Sequence, residues 1–215
     1  MLISFEGLPG AGKTTQSRRL ADRLRHDGLA VAYLPDLATL TVDPLGDRLF
    51  ALFASSGDPF RRHGDVLTDT LLAAAIRAQI TAAAIRPAVE EHQVVIEDRG
   101  VHTMYAYSLA TLRRDYPTVD VAPGLRWQSR ARSHRSPGAD TALWLRLPVG
   151  LATDRAASRD GTRYSGEQIS YLAHVNDAYQ QLTVDDAALL SVDVEELDRD
   201  AVHELVYREI SRRMP

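Results

Sequence analysis

The feature that most constrains the fold is the segment 7–14 near the N-terminus, which reads Gly-Leu-Pro-Gly-Ala-Gly-Lys-Thr. It fits the phosphate-binding loop, in which a glycine is followed by four residues and then by Gly-Lys-Thr. The short apolar run before it is typical of a buried strand, and the residues from Thr14 onward carry apolar side chains at helical spacing. Strand, glycine-rich loop and helix therefore follow in the order that a phosphate-binding loop requires.

The residue types in this segment each have a physical role. Glycines allow successive backbone N–H groups to converge on one anion, and the N-terminus of the following helix adds a partial positive charge. A glycine-rich turn without a ligand is the alternative, but the Lys-Thr pair at this spacing disfavours it. We therefore expect a nucleoside triphosphate here, with Lys13 reaching its β- and γ-phosphates and Thr14 holding Mg²⁺. The residues expected to surround the phosphates are Gly7, Gly10, Ala11, Gly12, Lys13, Thr14 and Thr15.

Composition excludes several other functions. A net charge of −4 disfavours a nucleic-acid-binding surface, which needs an excess of Lys and Arg. The absence of cysteine excludes disulfides, thiolate zinc sites and cysteine nucleophiles. The chain enters its first strand without a signal segment, and charged and polar residues interrupt its most apolar stretch, 66–89. We therefore expect a cytoplasmic protein that binds neither nucleic acid nor membrane.

Predicted strands and helices alternate along the chain. Strands are expected near residues 2–5, 29–34, 94–96, 142–147 and 189–192. Helices are expected from Thr14, from Pro44 after the N-cap Asp43, and over 65–91, 101–116, 150–160, 165–182 and 200–213. The residues Ser165-Gly166-Glu167-Gln168 are expected to cap the helix over 165–182. Pro87 is expected to kink or end the longest of them. The alternation predicts an α/β fold, a single domain over 1–215 in which helices cover both faces of a central parallel sheet of about five strands.

Charged residues follow the third predicted strand, in the order Glu97-Asp98-Arg99. Because ligands of open α/β sheets bind beyond the carboxyl ends of the strands, this cluster is expected to face the glycine-rich loop. An Asp-Arg pair after a strand also suits a structural salt bridge, but the nearby phosphate-binding loop favours a functional interpretation. Arg77 lies in an otherwise apolar helix, where an unpaired charge is costly and a bound phosphate or base would satisfy it. The basic segment 126–135 is interpreted as exposed surface.

Taken together, these segments resemble the thymidylate kinase family of nucleoside monophosphate kinases. The similar segments, in the family's order, are 5–16, 44–48, 71–79, 94–99, the arginines Arg155, Arg159 and Arg163 with the helix after them, and 191–193. The resemblance implies a P-loop kinase fold with a short lid at about residues 150–165. It also implies transfer of the γ-phosphoryl group of ATP, with Mg²⁺, to the 5′-phosphate of a small nucleotide substrate.

The resemblance implies roles for individual residues. The expected catalytic residues are Lys13, Asp98, Arg155 and Arg159, and the expected metal-side residues are Thr14 and Asp98. Arg99 is expected to clamp the acceptor phosphate, Arg77 to contact the acceptor base and Tyr107 to line the base pocket. Asp193 is expected to border the adenine of ATP.

Two of these implications have structural alternatives. Arg155 and Arg159 are four residues apart, which is also typical of a solvated helix face, but the Asp160-Gly161 break after them favours a lid. Family resemblance also implies a homodimer formed through the helix over 65–91. The alanine-rich faces of that helix equally suit burial inside one subunit.

The acceptor side departs from the family pattern. Pro9 stands where an acidic residue recognises the sugar 3′-hydroxyl, and Ala73 stands where an aromatic residue stacks on thymine. Residues 34–37 lack an arginine for the acceptor phosphate, and Gly100 replaces a bulky residue. Gly10 stands where some relatives carry an arginine, so the lid is expected to supply that charge. We therefore expect the acceptor to be dTMP or a related or modified pyrimidine nucleotide.

Two other functions stay open from the sequence. One is a kinase of a nucleoside or another small hydroxylated metabolite, for which the missing acceptor-phosphate arginine would be a cause. The other is an ATP-binding regulator without turnover, against which Lys13, Asp98 and the lid arginines are all retained.

Overall fold

Five parallel strands form the centre of the protein in this computed structural model, which describes residues 1–36, 40, 43–55, 65–118, 120 and 138–214. The strands are β1 (Leu2–Glu6), β2 (Val31–Leu34), β3 (Val94–Asp98), β4 (Thr141–Arg146) and β5 (Leu189–Asp193). Their order across the sheet is β2-β3-β1-β4-β5. All four pairings are parallel, and Phe5 of β1 lies beside Asp98 of β3 and Leu143 of β4. The predicted parallel sheet is confirmed.

Helices cover both faces of this sheet, as predicted. They are α1 (Lys13–His26), α2 (Pro44–Ala54), α3 (Val66–Ile80), α4 (Arg86–Glu91), α5 (Val101–Asp115), α6 (Val149–Asp160), α7 (Gly166–Asp185) and α8 (Arg199–Ser211). Successive residues of a strand point to opposite faces. Leu2 packs in a cluster with Ile76 and Ile85, whereas its neighbour Ile3 packs in the larger cluster that contains Leu20 of α1. Each face therefore has its own helical cover.

The longest helical run differs from its prediction in detail. It neither ends nor breaks at Pro87, because α3 continues through a π-helical turn, Thr81–Ile85, directly into α4. The N–H of Arg86 donates to the carbonyl of Thr81, the five-residue spacing of a π turn. Pro87 then falls in the first turn of α4, where a missing N–H is tolerated.

The same run is apolar enough to pass a membrane-span test. The most apolar window within Val66–Glu91 has a mean hydropathy of 1.2, and 22% of it is buried within the fold. In the structure, α3 packs against α2 and α5, and α4 packs against β3. A helix that covers one side of a sheet passes the same test on length and composition.

Local signals at the helix ends behave as predicted. Asp43 caps α2 by accepting from the N–H of Gly46, and Ser165 and Gln168 form a capping box at the start of α7. One boundary is longer than predicted, since β3 extends through Glu97 and Asp98. The basic segment 126–135 lies outside the described residues.

Candidate active site

The loop between β1 and α1 has the backbone that its glycines require. Gly7, Gly10 and Gly12 have φ values of +131°, +82° and +94°, a region that residues with a side chain rarely adopt. A Cβ on Gly7 would also lie 2.8 Å from the carbonyl oxygen of Leu145. The loop therefore lies directly against the end of β4, and α1 begins at Lys13, so its N-terminus faces the same space.

Gly10 makes a second close approach, to α6, which carries the predicted lid arginines. A Cβ built on Gly10 would lie 2.0 Å from the carbonyl oxygen of Ala152 and 3.0 Å from the nitrogen of Ala156. No side chain fits between the loop and α6. The absence of an arginine at this position thus has a packing reason, which the sequence alone did not reveal.

Lys13 is buried beneath the loop. Its Nζ donates to the carbonyl oxygen of Leu8 at 2.7 Å. Burial lowers the pKa of Lys13 well below its ordinary value, and the neighbouring Arg99 lowers it further, while Asp98 and Asp36 oppose the shift. A buried ammonium with so little compensation is suited to bind an anion such as a phosphate.

Thr14 and Asp98 meet at the end of β3, as predicted. The hydroxyl of Thr14 donates to Oδ2 of Asp98 at 2.5 Å. The other oxygen, Oδ1, is buried and has no hydrogen-bond partner. Magnesium prefers oxygen ligands and is held by one or two carboxylates together with substrate phosphates and water. The hydroxyl and the unpartnered carboxylate oxygen fit that ion, and no cluster of three or more His, Cys, Asp or Glu occurs within the described ranges.

Arg99 has an unusual backbone and a carboxylate partner. Its φ of +75° lies in the left-handed region, which is uncommon outside glycine and often marks a functional position. Its backbone N–H donates to the carbonyl of Phe5 at 3.0 Å, and its Nε donates to Oδ2 of Asp36 at 2.5 Å. Burial opposes the charge, but Tyr107 and Asp36 raise the pKa of Arg99 above its ordinary value. Arg99 therefore stays a cation.

Arg77 is paired, which corrects the argument made from its helix alone. Its two terminal nitrogens donate to the two carboxylate oxygens of Glu97 at 2.9 and 3.0 Å. Burial raises the pKa of Glu97, and the guanidinium of Arg77 opposes that rise. A bound ligand is thus not needed to satisfy the charge of Arg77.

An open cleft gathers several of the predicted acceptor-side residues. Its lining consists of Leu34, Pro35, Leu40, Arg77, Ile80, Ile85, Glu97, Asp98 and Arg99. Tyr107 is not part of that lining. It lies on α5. Burial raises the pKa of Tyr107, and the nearby guanidinium of Arg99 opposes that rise, so the Tyr107 ring lies next to Arg99. Arg77, Asp98 and Arg99 are brought together, and Tyr107 borders them.

The predicted lid arginines lie on α6 and are exposed. Arg155 has an exposed side chain. Arg159 is 64% exposed and pairs with the adjacent Asp160, with its Nε 2.6 Å from a carboxylate oxygen. Gly161 ends α6 with a φ of +68°. Neither arginine is drawn into the cleft in this conformation.

Asp193 lies on the other side of the loop from the cleft. It ends β5, accepts from the N–H of Glu195 at 3.2 Å and pairs with Arg146 at the end of β4. Because β1 lies between β3 and β4, the glycine-rich loop separates Asp193 from the cleft. The predicted donor-base side and acceptor side are therefore on opposite sides of the phosphate-binding loop.

The sequence did not predict a buried hydrogen-bond network around Glu6. Glu6 accepts from the hydroxyl of Ser4 and from the N–H and hydroxyl of Thr103, at 2.6–2.9 Å. His102 lies 3.6 Å from Glu6 and 2.9 Å from Asp186.

The protonation states of this network follow from those contacts. Burial alone would raise the pKa of Glu6, but His102 and Thr103 lower it to about 2. Burial also opposes charge on His102, whereas Asp186 and Glu6 raise its pKa to about 9. The network thus contains two carboxylates and one imidazolium.

Gly100 belongs to this network, which changes its interpretation. A Cβ there would lie 2.6 Å from Cβ of Ser4 and 2.7 Å from Oε1 of Glu6. Glycine at this position is thus explained by close packing under β1. From the sequence alone, this glycine indicates a rebuilt acceptor site. Asp36 and Glu6 were missed as well, and for Glu6 a charged residue at the end of a buried strand was the available signal.

Comparison with known proteins places these features in a family. The sequence model of the family described as thymidylate kinase matches residues 5–206. The thymidylate kinase of Acinetobacter baylyi is 28% identical over 213 residues, covering 97% of this chain and 96% of the relative. That of Syntrophotalea carbinolica is 32% identical over 187 residues, covering 84% and 81%. That of Acinetobacter baumannii is 30% identical over 190 residues, covering 85% of both chains. The chain therefore belongs to the thymidylate kinase family, and the protein is a phosphotransferase of the nucleoside monophosphate kinase type.

Proposed function

We propose that the protein transfers the γ-phosphoryl group of ATP to the 5′-phosphate of dTMP or of a related or modified pyrimidine nucleotide. The observation that carries this proposal is the meeting of Lys13, the Thr14–Asp98 pair and Arg99 at the carboxyl edge of β1 and β3. An oxygen of the acceptor phosphate would attack the γ-phosphorus, and the bond to the β-phosphate would break to release ADP. That oxygen carries no proton to remove, so positioning and charge neutralisation are the main requirements.

The donor side would bind ATP through the loop and Lys13. The N–H groups of residues 7–15 and the N-terminus of α1 would surround its phosphates, with Asp193 near the adenine. Lys13 would exchange its bond to Leu8 for phosphate oxygens. Thr14 and Asp98 would hold Mg²⁺, which neutralises charge on the β- and γ-phosphates.

The acceptor side would bind the nucleotide in the cleft. Arg99 would clamp its phosphate, with Arg77 and Tyr107 toward the base. Arg155 and Arg159, exposed on α6, would close over the transferring group as a lid over residues 150–165. This closure would exclude water and add positive charge where the transition state is most negative.

Several features support an altered acceptor preference. Pro9 offers no carboxylate for a sugar hydroxyl, Ala73 offers no ring for stacking, and Arg77 is already paired with Glu97. A site that lacks a contact to a hydroxyl discriminates less against analogues without it. We therefore propose a looser sugar and base preference than that of a strict dTMP kinase.

The decisive experiment measures ADP release from ATP and Mg²⁺ with a panel of deoxy- and ribonucleoside 5′-monophosphates and free nucleosides. Turnover on pyrimidine monophosphates, lost in Lys13→Ala, supports the proposal. Highest turnover on dTMP with strong rejection of dUMP and dCMP contradicts the altered preference alone. Absence of turnover with every monophosphate contradicts the proposed reaction.

A second candidate function has one structural observation in its favour. Asp36 stands just beyond β2, where the family pattern implies an arginine near the acceptor phosphate, and it already engages Arg99. That charge would suit a neutral hydroxyl acceptor such as a nucleoside. Replacing Arg99 separates the two candidates, because it would raise KM for a monophosphate and barely change KM for a nucleoside.

We also propose that the protein is a single-domain cytoplasmic enzyme that acts as a homodimer without nucleic acid or membrane. Exposed leucines on α2 and α3 support the dimer and suggest its surface: Leu45, Leu52, Leu67 and Leu71. Light scattering of the wild type and of Leu67→Glu/Leu71→Glu tests it. A monomeric wild type contradicts it.

A further inference from the structure

The bond between Arg99 and Asp36 uses one particular edge of the guanidinium. Asp36 accepts from Nε at 2.5 Å, which leaves the two terminal Nη groups outside that bond. An arginine binds a phosphate most strongly with two parallel N–H groups, and the pair of Nη groups provides such a fork. The carboxylate therefore occupies the side of Arg99 and not its phosphate-binding end.

Several other contacts restrict where Arg99 can point. Its left-handed backbone is held by the N–H bond to Phe5 at 3.0 Å, and the side chain is 20% exposed. On α5, Tyr107 flanks the guanidinium. The side chain lines the cleft together with Asp98. Of these restraints, the hydrogen bond that Nε donates to Asp36 is the one that pairs the guanidinium with an opposite charge.

Asp36 also lies where two cations approach each other. Burial is the main reason that the pKa of Lys13 is lowered, and Arg99 lowers it further. Asp98 and Asp36 oppose the shift. Lys13 and Arg99 thus lie close enough for their charges to repel each other. Without Asp36, their repulsion would favour movement of the more flexible Arg99 side chain away from Lys13.

We propose that Asp36 is a positioning residue that aims the Nη groups of Arg99 at the phosphate of the acceptor. This inference rests on the proposed function, in which Arg99 clamps that phosphate. Asp36 does not touch the reacting atoms in this scheme and acts through Arg99. The residue just beyond β2 then still serves the acceptor phosphate, but through a carboxylate in place of a direct positive charge.

The test compares Asp36→Ala with Asp36→Asn in steady-state kinetics with the best monophosphate of the panel. Asp36→Ala is expected to raise KM for the acceptor by about tenfold, with KM for ATP within about twofold of the wild type. Asp36→Asn keeps an oxygen that accepts from Nε but not the charge that opposes repulsion between Lys13 and Arg99, and it is expected to recover part of the loss. Asp22→Ala is the matched control, because Asp22 pairs with Arg25 at 3.2 Å on the surface of α1.

A double-mutant cycle with Arg99→Ala separates positioning from a general effect on folding. If Asp36 acts through Arg99, adding Asp36→Ala to Arg99→Ala changes acceptor KM by less than about twofold. Additive effects of the two substitutions would contradict the inference. So would a lower acceptor KM in both Asp36 variants, which would mean that Asp36 competes with the phosphate for Arg99.

The outcomes also distinguish this inference from the proposed function. Titration of the wild-type protein with the monophosphates, followed by calorimetry, shows whether the cleft binds them. Absence of both binding and turnover contradicts the proposed function and, with it, the role of Asp36. Normal wild-type turnover with an unchanged acceptor KM in Asp36→Ala contradicts the positioning role alone.

Discussion

At the scale of single residues, Arg77 and Glu97 form the most buried charge pair of the cleft. Their side chains are 12% and 4% exposed, and two parallel hydrogen bonds join them. Removing one partner of such a pair leaves the other charge buried without compensation, which costs far more than the pair contributes. The pair is therefore a sensitive point for stability as well as for substrate recognition.

Arg77→Met is expected to lower the free energy of unfolding by roughly 3 kcal/mol, because Glu97 remains buried and alone. Urea unfolding at pH 7.5 measures this loss. Arg77→Met/Glu97→Leu removes both charges and is expected to regain much of it. Equal stability of Arg77→Met and the wild type would contradict this account of the pair.

Gly10→Ala is expected to lower kcat/KM for ATP by at least about tenfold, since the added Cβ must push the loop or α6 aside. The contact in question is the 2.0 Å approach to the carbonyl oxygen of Ala152. Steady-state kinetics measures the effect. Gly166→Ala serves as the control, because nothing lies within 4 Å of a Cβ there. Wild-type kinetics in Gly10→Ala would mean that loop and helix separate freely.

At the scale of secondary structure, side chains at the helix ends fix where elements begin. The capping box of α7 is the clearest case, with Ser165 and Gln168 each bonding to the other's backbone N–H at 3.2 and 2.9 Å. This start sets the position of α7, whose Tyr179 stacks on Trp144 of β4 with ring centroids 5.5 Å apart. The segment between α6 and α7 therefore ends at a well-defined residue.

Ser165→Ala is expected to cost about 1 kcal/mol, the usual contribution of an N-cap side chain. For a domain of this size that corresponds to a fall in Tm of about 2–4 °C. Thermal unfolding followed by circular dichroism measures it. Ser170→Ala, an exposed position on the same helix, is the control and is expected to leave Tm unchanged. Equal Tm values for the two variants would argue against the capping role.

Local elements were predictable because their signals are local. Apolar periodicity, the Asp43 and Ser165 caps and the glycine-rich loop each lie within a few residues of the structure that they specify. The pairing of Arg77 with Glu97 and of Arg99 with Asp36 depends on strand order, which sequence periodicity does not encode. The π turn escaped for another reason, since Thr81–Ile85 is alanine-rich and equally suited to an α-helix.

At the scale of the whole molecule, the network of Glu6, His102 and Asp186 joins the sheet to two helices. Glu6 ends β1, His102 lies in the first turn of α5, and Asp186 follows α7. Glu6 directly precedes Gly7, where the phosphate-binding loop begins. The charges of the network therefore link global stability to the region where catalysis is proposed.

Stability is expected to fall as pH rises from about 7 to above 9. The pKa of His102 is raised to about 9 in the folded protein from an ordinary value of 6.5. Such a group stabilises the fold fully below its unfolded pKa, and the contribution is lost as pH rises through the folded value. Glu6 has the opposite effect on the pH dependence of stability. Because its pKa is lowered to about 2 from 4.5, its contribution to stability is present above about pH 4.5 and is lost as pH falls through 2.

Urea unfolding at several pH values between 6.5 and 9.5 measures the alkaline arm of this profile. His102→Gln is expected to be less stable at pH 6.5 and to show a flatter decline, because the titrating group is gone. His26→Gln, at the exposed end of α1, is the control and is expected to retain the wild-type slope. A wild-type slope in His102→Gln would assign the decline to other groups.

The close approach of Gly10 to α6 has a mechanical consequence for any lid movement. The contacts involve Ala152 and Ala156, so the first two turns of α6 are anchored to the phosphate-binding loop. Arg155 lies within this anchored part, whereas Arg159 and Gly161 lie beyond it. In the proposed closure of residues 150–165, backbone movement would therefore be largest after Ala156. Arg155 would then move mainly by rotation of its side chain, and the backbone would carry Arg159 further.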